Sequence, residues 1–315
     1  MPLNPANKAP LFVGGSGVRT PFGLHLPPGA RVAAYVHASG WDATLDESID
    51  ASKLVQTVNA GLAKCRANRG DVVMVLPGHA ETINAADKWS NLVAGTNIVC
   101  IGEGTDRPKF TWSAATATVL LDVANCHIYG GKFELAGDPT STTALTVAAG
   151  ITVSADGCGL HGCLYDFGID ADQIVTLGVV VTSDDCVIEG IRAFGATAAE
   201  CTTFLRLTGA DRLRLLDCIV IGATSSTTVG VVQFLTTAST QVEIVGLRCQ
   251  NNKAASVHAA TGMAGLTGMC SWGHFGVLDN ATLTGFVTEG SMQFFECRTA
   301  NLAGEAAGLK TIVSV

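Results

Sequence analysis

Eight short segments of the chain align on one ten-residue pattern, and that repeat restricts the fold more than any single residue does. The segments begin at Ile98, Cys126, Cys158, Cys186, Leu213, Val242, Met269 and Met292. Their starts are separated by 28, 32, 28, 27, 29, 27 and 23 residues. The first position is Ile, Cys, Leu, Val or Met, and the third is apolar or small. In an extended chain alternate side chains share a face, so these two positions point the same way. The fifth position is Gly in six segments and Asp217 or Glu296 in the other two. A period in the twenties, an apolar alternation and a glycine-marked corner predict a solenoid of stacked β-coils. Glycine suits a corner of positive φ, and aspartate visits that region more readily than most residues. Glutamate does not, so the coil containing Glu296 is expected to turn differently.

Composition agrees with one β-solenoid body. Hydrophobic residues make up 48% of the 315-residue chain and charged residues only 15%, enough apolar material for a long core. No run of 18 apolar residues occurs, so no membrane span is expected. The start, MPLNPANKAP, lacks the basic and apolar regions of a secretion signal, which predicts synthesis in a cytoplasm. A net charge of −8 with scattered Lys and Arg argues against a nucleic-acid surface. The one local basic cluster, Arg212 to Arg214, reads as a solvated strand face. Of the eleven cysteines, Cys126, Cys158 and Cys186 share the first column, and Cys163, Cys218 and Cys297 share the sixth. Such spacing predicts inward stacks of reduced thiols rather than a disulfide framework. No C-x-x-C pair occurs, and His127 and His161 lie on other faces by parity, so no metal site and no cofactor are expected.

Residues 1–30 carry Pro2, Pro5, Pro10, Pro21, Pro27 and Pro28 with a GGSG run and no periodicity, the pattern of an extended arm. Its apolar residues Phe12, Val13, Phe22 and Leu24 are candidate anchors on a neighbouring subunit or particle protein. Residues 31–97 form an opening unit. Arg31 to Ala38 reads as a strand. Leu54, Val55, Val58, Leu62 and Cys65 then recur at helical spacing, with Asp50 or Ser48 as N-cap and Gly70 as stop. That helix would cap the first coil, whose open edge would otherwise invite aggregation. DVVMVLPGHAETI follows as a strand ending at Pro77-Gly78. The coils run over 98–300, and 301–315 form a C-terminal tail ending in an apolar strand, Thr311 to Val315.

A strand, a Gly-Trp-Asp stretch, a helix and then RGDVVMVLPGHAETI resemble the opening of right-handed parallel β-helix proteins of the pectin-lyase-like superfamily. The matching positions are Arg69, Gly70, Asp71, Val75, Pro77 and Gly78, and the resemblance spans about residues 31–300. It implies an all-β, right-handed parallel β-helix with an N-terminal capping helix and an extended arm. It says little of function, because that scaffold hosts lyases, hydrolases and structural viral proteins alike.

The best catalytic candidates are Asp184 and Asp185, in Thr182-Ser183-Asp184-Asp185-Cys186, which resembles the Asp-Asp-Cys motif of polygalacturonase-like glycosidases. The resemblance is incomplete: the Asn-x-Asp one coil earlier, the Gly-His-Gly one coil later and the Arg-x-Lys beyond are missing. Polar residues precede nearly every repeat, where Asn and Asp satisfy turn backbone, so catalysis is not expected. His161 and His274 have no acid in register by this reading and fall at corners or on the surface. Tyr129 and Trp272 share a column, a thin stripe for stacking a sugar.

An incomplete catalytic set, the arm and the apolar terminal strand resemble bacteriophage virion β-helix proteins. The expectation is a structural virion component, closest to a capsid decoration (cement) protein, assembled as a homotrimer. Its partners would be copies of itself and the major capsid or another virion protein, with no nucleic acid and no membrane. The alternative is a tailspike-like polysaccharide lyase or hydrolase, or a host-glycan-binding protein.

Overall fold

The computed structural model describes residues 30–39, 49–135, 145–166, 173–195, 201–222, 230–235, 239–252, 260–261, 266–277, 291–301 and 310–311. The arm, with Phe12, Val13, Phe22 and Leu24, lies outside them, as do Ser48 and the last four residues of the tail. Among the described residues the fold is all-β. Short parallel strands stack coil upon coil into a right-handed solenoid, the hand that strand crossovers favour.

Each full coil contributes a strand to each of three sheets of eleven, ten and six strands. The first sheet holds the middle of every repeat, as in His127–Tyr129, Gly159–His161, Val187–Glu189 and Arg214–Leu216. The second holds Lys132–Leu135, Leu164–Asp166, Arg192–Phe194 and their counterparts. The third is built from Val119–Leu121, Leu145–Val153, Gln173–Val181, Cys201–Leu207, Val232–Phe234 and Ala260–Thr261. In-register pairing places like residues above one another. Ile98, Ile128, Leu160, Ile188, Leu215, Ile244, Cys270 and Phe294 form one inward column of the first sheet, and all are buried. One core cluster runs from Val36 to Cys297.

That register corrects two of the eight repeats. Ile98 pairs with Ile128 and so occupies the third position, which makes Thr96 the first. Gly268, not Met269, pairs with Val242 and Met292, which leaves Met269 exposed. The fifth position is then Cys100 in the opening repeat, which stays in the strand Asn97–Cys100, and Gly130, Gly162, Gly190, Asp217, Gly246, Trp272 and Glu296 in the other seven, each with φ between 49° and 72°. The expectation for Glu296 fails: its φ is 52°, and its coil turns like the others. Trp272 takes the corner with φ 57°. A left-handed residue costs an L side chain about 1–2 kcal/mol. In return, the corner N–H donates to the next coil, as from Asp217 to the Val245 carbonyl (2.8 Å) and from Trp272 to that of Phe295 (3.0 Å). Stacking therefore holds Asp217 and Trp272 in the corner conformation that glycine takes elsewhere.

The second sheet holds a feature unexpected from a chain with few aromatics. Phe110, Phe133 and Tyr165 stack along its inner face with centroids 5.1 and 5.3 Å apart. Trp112 lies against Phe133 and Tyr165. Aromatics are scarce here and concentrated at the first coils.

The N-terminal cap departs from the expected helix. Asp50 does cap, accepting the Ser52 N–H at 3.0 Å, but the turn it starts is a 3-10 segment, Ala51–Lys53. Leu54–Val55 is extended and pairs with Tyr35 and Val36. The helix is only Val58–Leu62, begun by Thr57, whose Oγ1 accepts the Ala60 N–H. The physical reason is edge protection: the first strand, Val32–Val36, would otherwise expose an unpaired edge. Strand pairing outweighs helix propensity there. Val58 and Leu62 are fully buried, and the Val58 N–H donates to the buried Glu81 side chain at 2.8 Å, which satisfies one of the free N–H groups at the helix start. Val72–Val75 and Ala80–Ile83 are separate strands in the first and second sheets, so Pro77-Gly78 is the corner between them. At the other end Lys310–Thr311 pairs antiparallel with Arg298–Thr299.

Candidate functional site

Asp184 and Asp185 sit at the turn that leads into the strand Val187–Glu189. Asp185 has φ 57°, and its carboxylate receives Arg212 in a two-bond clamp, from Nε at 2.6 Å and Nη2 at 2.7 Å. That guanidinium holds the Asp185 carboxyl below the usual range. Asp184 Oδ1 accepts the backbone N–H of Asp211 (3.0 Å). Asp156 Oδ1 accepts that of Asp184 (3.1 Å), and Asp211 Oδ1 that of Thr240 (2.6 Å). Asp156, Asp184 and Asp211 thus form a ladder in which each carboxylate ties the turn of the next coil, which is the backbone-satisfying role of Asx residues. The bond from Thr240 holds the Asp211 carboxyl low. Arg214 in turn bonds Glu243 at 2.8 Å, so the basic cluster is an outward strand face with acidic neighbours.

A different constellation lies on the outer face of the first sheet. His127, Tyr129, His161 and Glu189 come from three successive coils. Tyr129 pairs with His161, and His161 with Glu189. His161 therefore has an acid in register, contrary to the expectation from sequence. His161 Nδ1 lies 3.2 Å from Glu189 Oε2, and its Nε2 lies 3.1 Å from His127 Nδ1. The Tyr129 ring stacks on the His161 imidazole at 4.4 Å and 11°. Gly159 makes the meeting possible. A Cβ there would lie 2.5 Å from both His127 Nδ1 and His161 Nε2, so any side chain would wedge the rings apart.

Carboxylates orient histidine tautomers. Glu189 accepts from His161 Nδ1–H, which leaves Nε2 as an acceptor for His127 Nδ1–H. Burial, with His161 alongside, pushes His127 down to about 4, and burial also lowers His161 against the opposing pull of Glu189. Both rings are neutral at pH 7. Burial and the nearby Glu189 push the Tyr129 phenol up to about 12. The His161 side chain keeps 10% of its surface open to solvent, and His127 Nε2 has no partner among the described residues.

The signal for this site was in the repeats. CGLHG and CVIEG put His161 and Glu189 at the same fourth position of adjacent coils. Trp272, in contrast, is displaced from the Tyr129 column by the corrected register: Ser271 and Phe295 occupy it. Trp272 projects from its corner with 56% exposure. His274 is the first residue of its second-sheet strand and pairs with Arg248 and Arg298. Among the described residues no group of three or more His, Cys, Asp or Glu side chains is placed to hold a metal ion, and no helix is long and apolar enough to cross a membrane.

All eleven cysteines are free thiols, and Cys126, Cys158, Cys163, Cys186, Cys218 and Cys297 are buried in the two columns assigned to them. The sulfurs of Cys270 and Cys297 lie 3.6 Å apart. In denaturant without reductant, all eleven are expected to titrate with a thiol reagent. Loss of two equivalents would show a bridge, and peptide mapping would test this pair first.

Comparison of the chain with family models, with curated proteins and with solved structures returns no match.

Proposed function

We propose that this chain is a structural component of a bacteriophage virion, a capsid decoration protein that assembles as a homotrimer. The observation that carries the reading is the fate of Asp184 and Asp185. The strongest catalytic candidates by motif serve coil stacking through Arg212 and the Asp211 N–H. A rigid solenoid with outward polar ladders suits a protein that is built into a particle and stays there. The resemblance of its opening to the pectin-lyase-like superfamily is compatible with this, since that scaffold includes structural viral proteins. The proline-rich arm, with Phe12, Val13, Phe22 and Leu24, supplies the contact with a neighbouring subunit or the major capsid protein. Prolines lower the entropy lost when an extended segment docks.

The test removes residues 2–29 and keeps Ala30, which is buried in the body. Thermal melting of the truncated body is expected to stay within a few degrees of the full chain. Its trimer, measured by light scattering, and its binding to purified capsids should weaken by about tenfold or more, the effect of about 1.4 kcal/mol of lost contact. Undiminished assembly and capsid binding would remove the arm from the proposal. Depolymerisation of a host surface glycan that an Asp184→Ala/Asp185→Ala variant abolishes would replace the structural reading with the polysaccharide-degrading one.

A further inference from the structure

We propose that the outer face of the second sheet, from Arg192 to Arg298, is a docking surface for an acidic protein, whose Asp and Glu carboxylates are received by Arg192, Arg248 and Arg298. The surface goes beyond the structural role and does not depend on it.

Parallel pairing places Arg192, Ile219, Arg248, His274 and Arg298 one above another on five successive coils. Paired strands stand about 4.7–4.9 Å apart, so an arginine recurs about every 9–10 Å along the stack. All three arginines are exposed, and among the described residues none of their guanidinium groups has a hydrogen-bond or ion-pair partner. Elsewhere on the solenoid outward cations are answered from the same coil or a neighbouring one. Arg214 meets Glu243, Arg212 meets Asp185, and Lys109 and Lys132 meet Glu134. The column beside the arginines on the same face reads Phe194, Ile221, Gln250, Gly276 and Ala300, with no acid among them. Like charges along one sheet face contribute nothing to coil pairing, and at this spacing they repel weakly. Stacking explains the other outward cations and leaves these three unexplained.

An acidic protein is the partner that this face fits. Protein interfaces concentrate arginine and aromatic residues, and Phe194, exposed two residues beyond Arg192, supplies an apolar anchor with Ile221 above it. Gly276 has no side chain, which keeps the strip beside Arg248 and Arg298 low and lets another surface approach them. Each guanidinium can then take a carboxylate through two parallel bonds. One aromatic residue gives no run of platforms for the rings of a single-stranded nucleic acid, and the same lack counts against a glycan. A nucleic-acid duplex would also meet the repulsion of a chain whose net charge is −8.

The experiment uses the full chain and labelled poly-L-glutamate as the carboxylate-bearing probe, with binding followed by fluorescence anisotropy at low salt. Binding is expected, and it should weaken as salt is added. The double variant Arg248→Gln/Arg298→Gln should lose about tenfold or more in affinity. Arg214→Gln, whose guanidinium is already engaged by Glu243, should stay within about twofold of the unaltered chain. The melting temperature of the double variant should be unchanged or higher, because no internal partner is lost. A marked fall in melting would assign the arginines to the fold and overturn the surface. Absence of poly-L-glutamate binding, or binding that the double variant retains, would do the same. Alginate, heparin and single-stranded DNA are the competing probes. Tighter binding of any of them, lost with the same two arginines, would overturn the assignment of the partner as an acidic protein.

Discussion

Replacing Ile188 with aspartate is expected to abolish soluble, folded protein. Ile188 is completely buried, and in the inward column of the first sheet it lies between Leu160 and Leu215. The substitution removes about 1.5–3 kcal/mol of apolar burial. It also places a carboxylate where no cation reaches it, which costs several kcal/mol more or forces the group to protonate. A domain of this kind has about 5–15 kcal/mol in total. A solenoid has a further weakness, since each coil is stabilised mainly by its two neighbours and a broken coil separates the stack into two shorter ones. Ile188→Val, which keeps the shape and loses one methylene, should cost only about 0.5–1.5 kcal/mol. Soluble yield and far-ultraviolet circular dichroism of the two variants decide the matter. A folded Ile188→Asp protein would falsify the register of the whole column.

That register is also where sequence reading did best and where its errors are instructive. Leu160, Ile188, Leu215, Ile244 and Phe294 were legible because period-two alternation in a half-buried strand leaves a strong pattern. The Met269 segment is out of register by one residue in the sequence pattern because Gly273 matches the corner glycine of the other repeats, whereas the corner falls at Trp272 with φ 57°. Local preference pointed to glycine, and the inter-coil bond from Trp272 N–H to Phe295 O overrode it. Glu296 also takes the corner, with φ 52°. At the other end, Leu54 and Val55 fit a helix face as well as an edge strand. Only the presence of Val32–Val36 beside them decides between the two, and that is tertiary information. The His127, His161 and Glu189 group was visible in part. His161 and Glu189 share a repeat position, but the approach of His127 to His161 depends on the missing Cβ of Gly159. The Asp184 and Asp185 pair was the reverse case. Its motif was conspicuous in sequence, and Arg212, one coil further on, explains it as part of the stack.

Acidification from pH 7 toward pH 4 is expected to weaken the fold by about 2–3 kcal/mol through the His127–His161 pair. The sign follows from the direction of the shifts. An unfolded histidine titrates near 6.5, whereas burial holds His127 down at about 4 and lowers His161 as well. Between those values the unfolded chain binds more protons than the folded one, so each step down in pH favours unfolding. The full contribution is present above the unfolded value and is lost as pH falls through the window. Partial exposure of the pair keeps the effect below the limit that a fully buried group would reach. Carboxylates act in a lower window. Asp185, clamped by Arg212, and Asp211, bonded to Thr240, have folded values below the ordinary carboxylate value, so their contribution is lost only at still lower pH. Urea midpoints measured from pH 7.5 to 4 should therefore fall with a slope centred on the imidazole window. His127→Gln keeps a donor for His161 and removes one titrating ring, so its profile should be flatter between pH 6.5 and 4. Equal slopes for the two proteins would mean that His127 is charged and solvated in the native state, and that the pair over Gly159 does not hold.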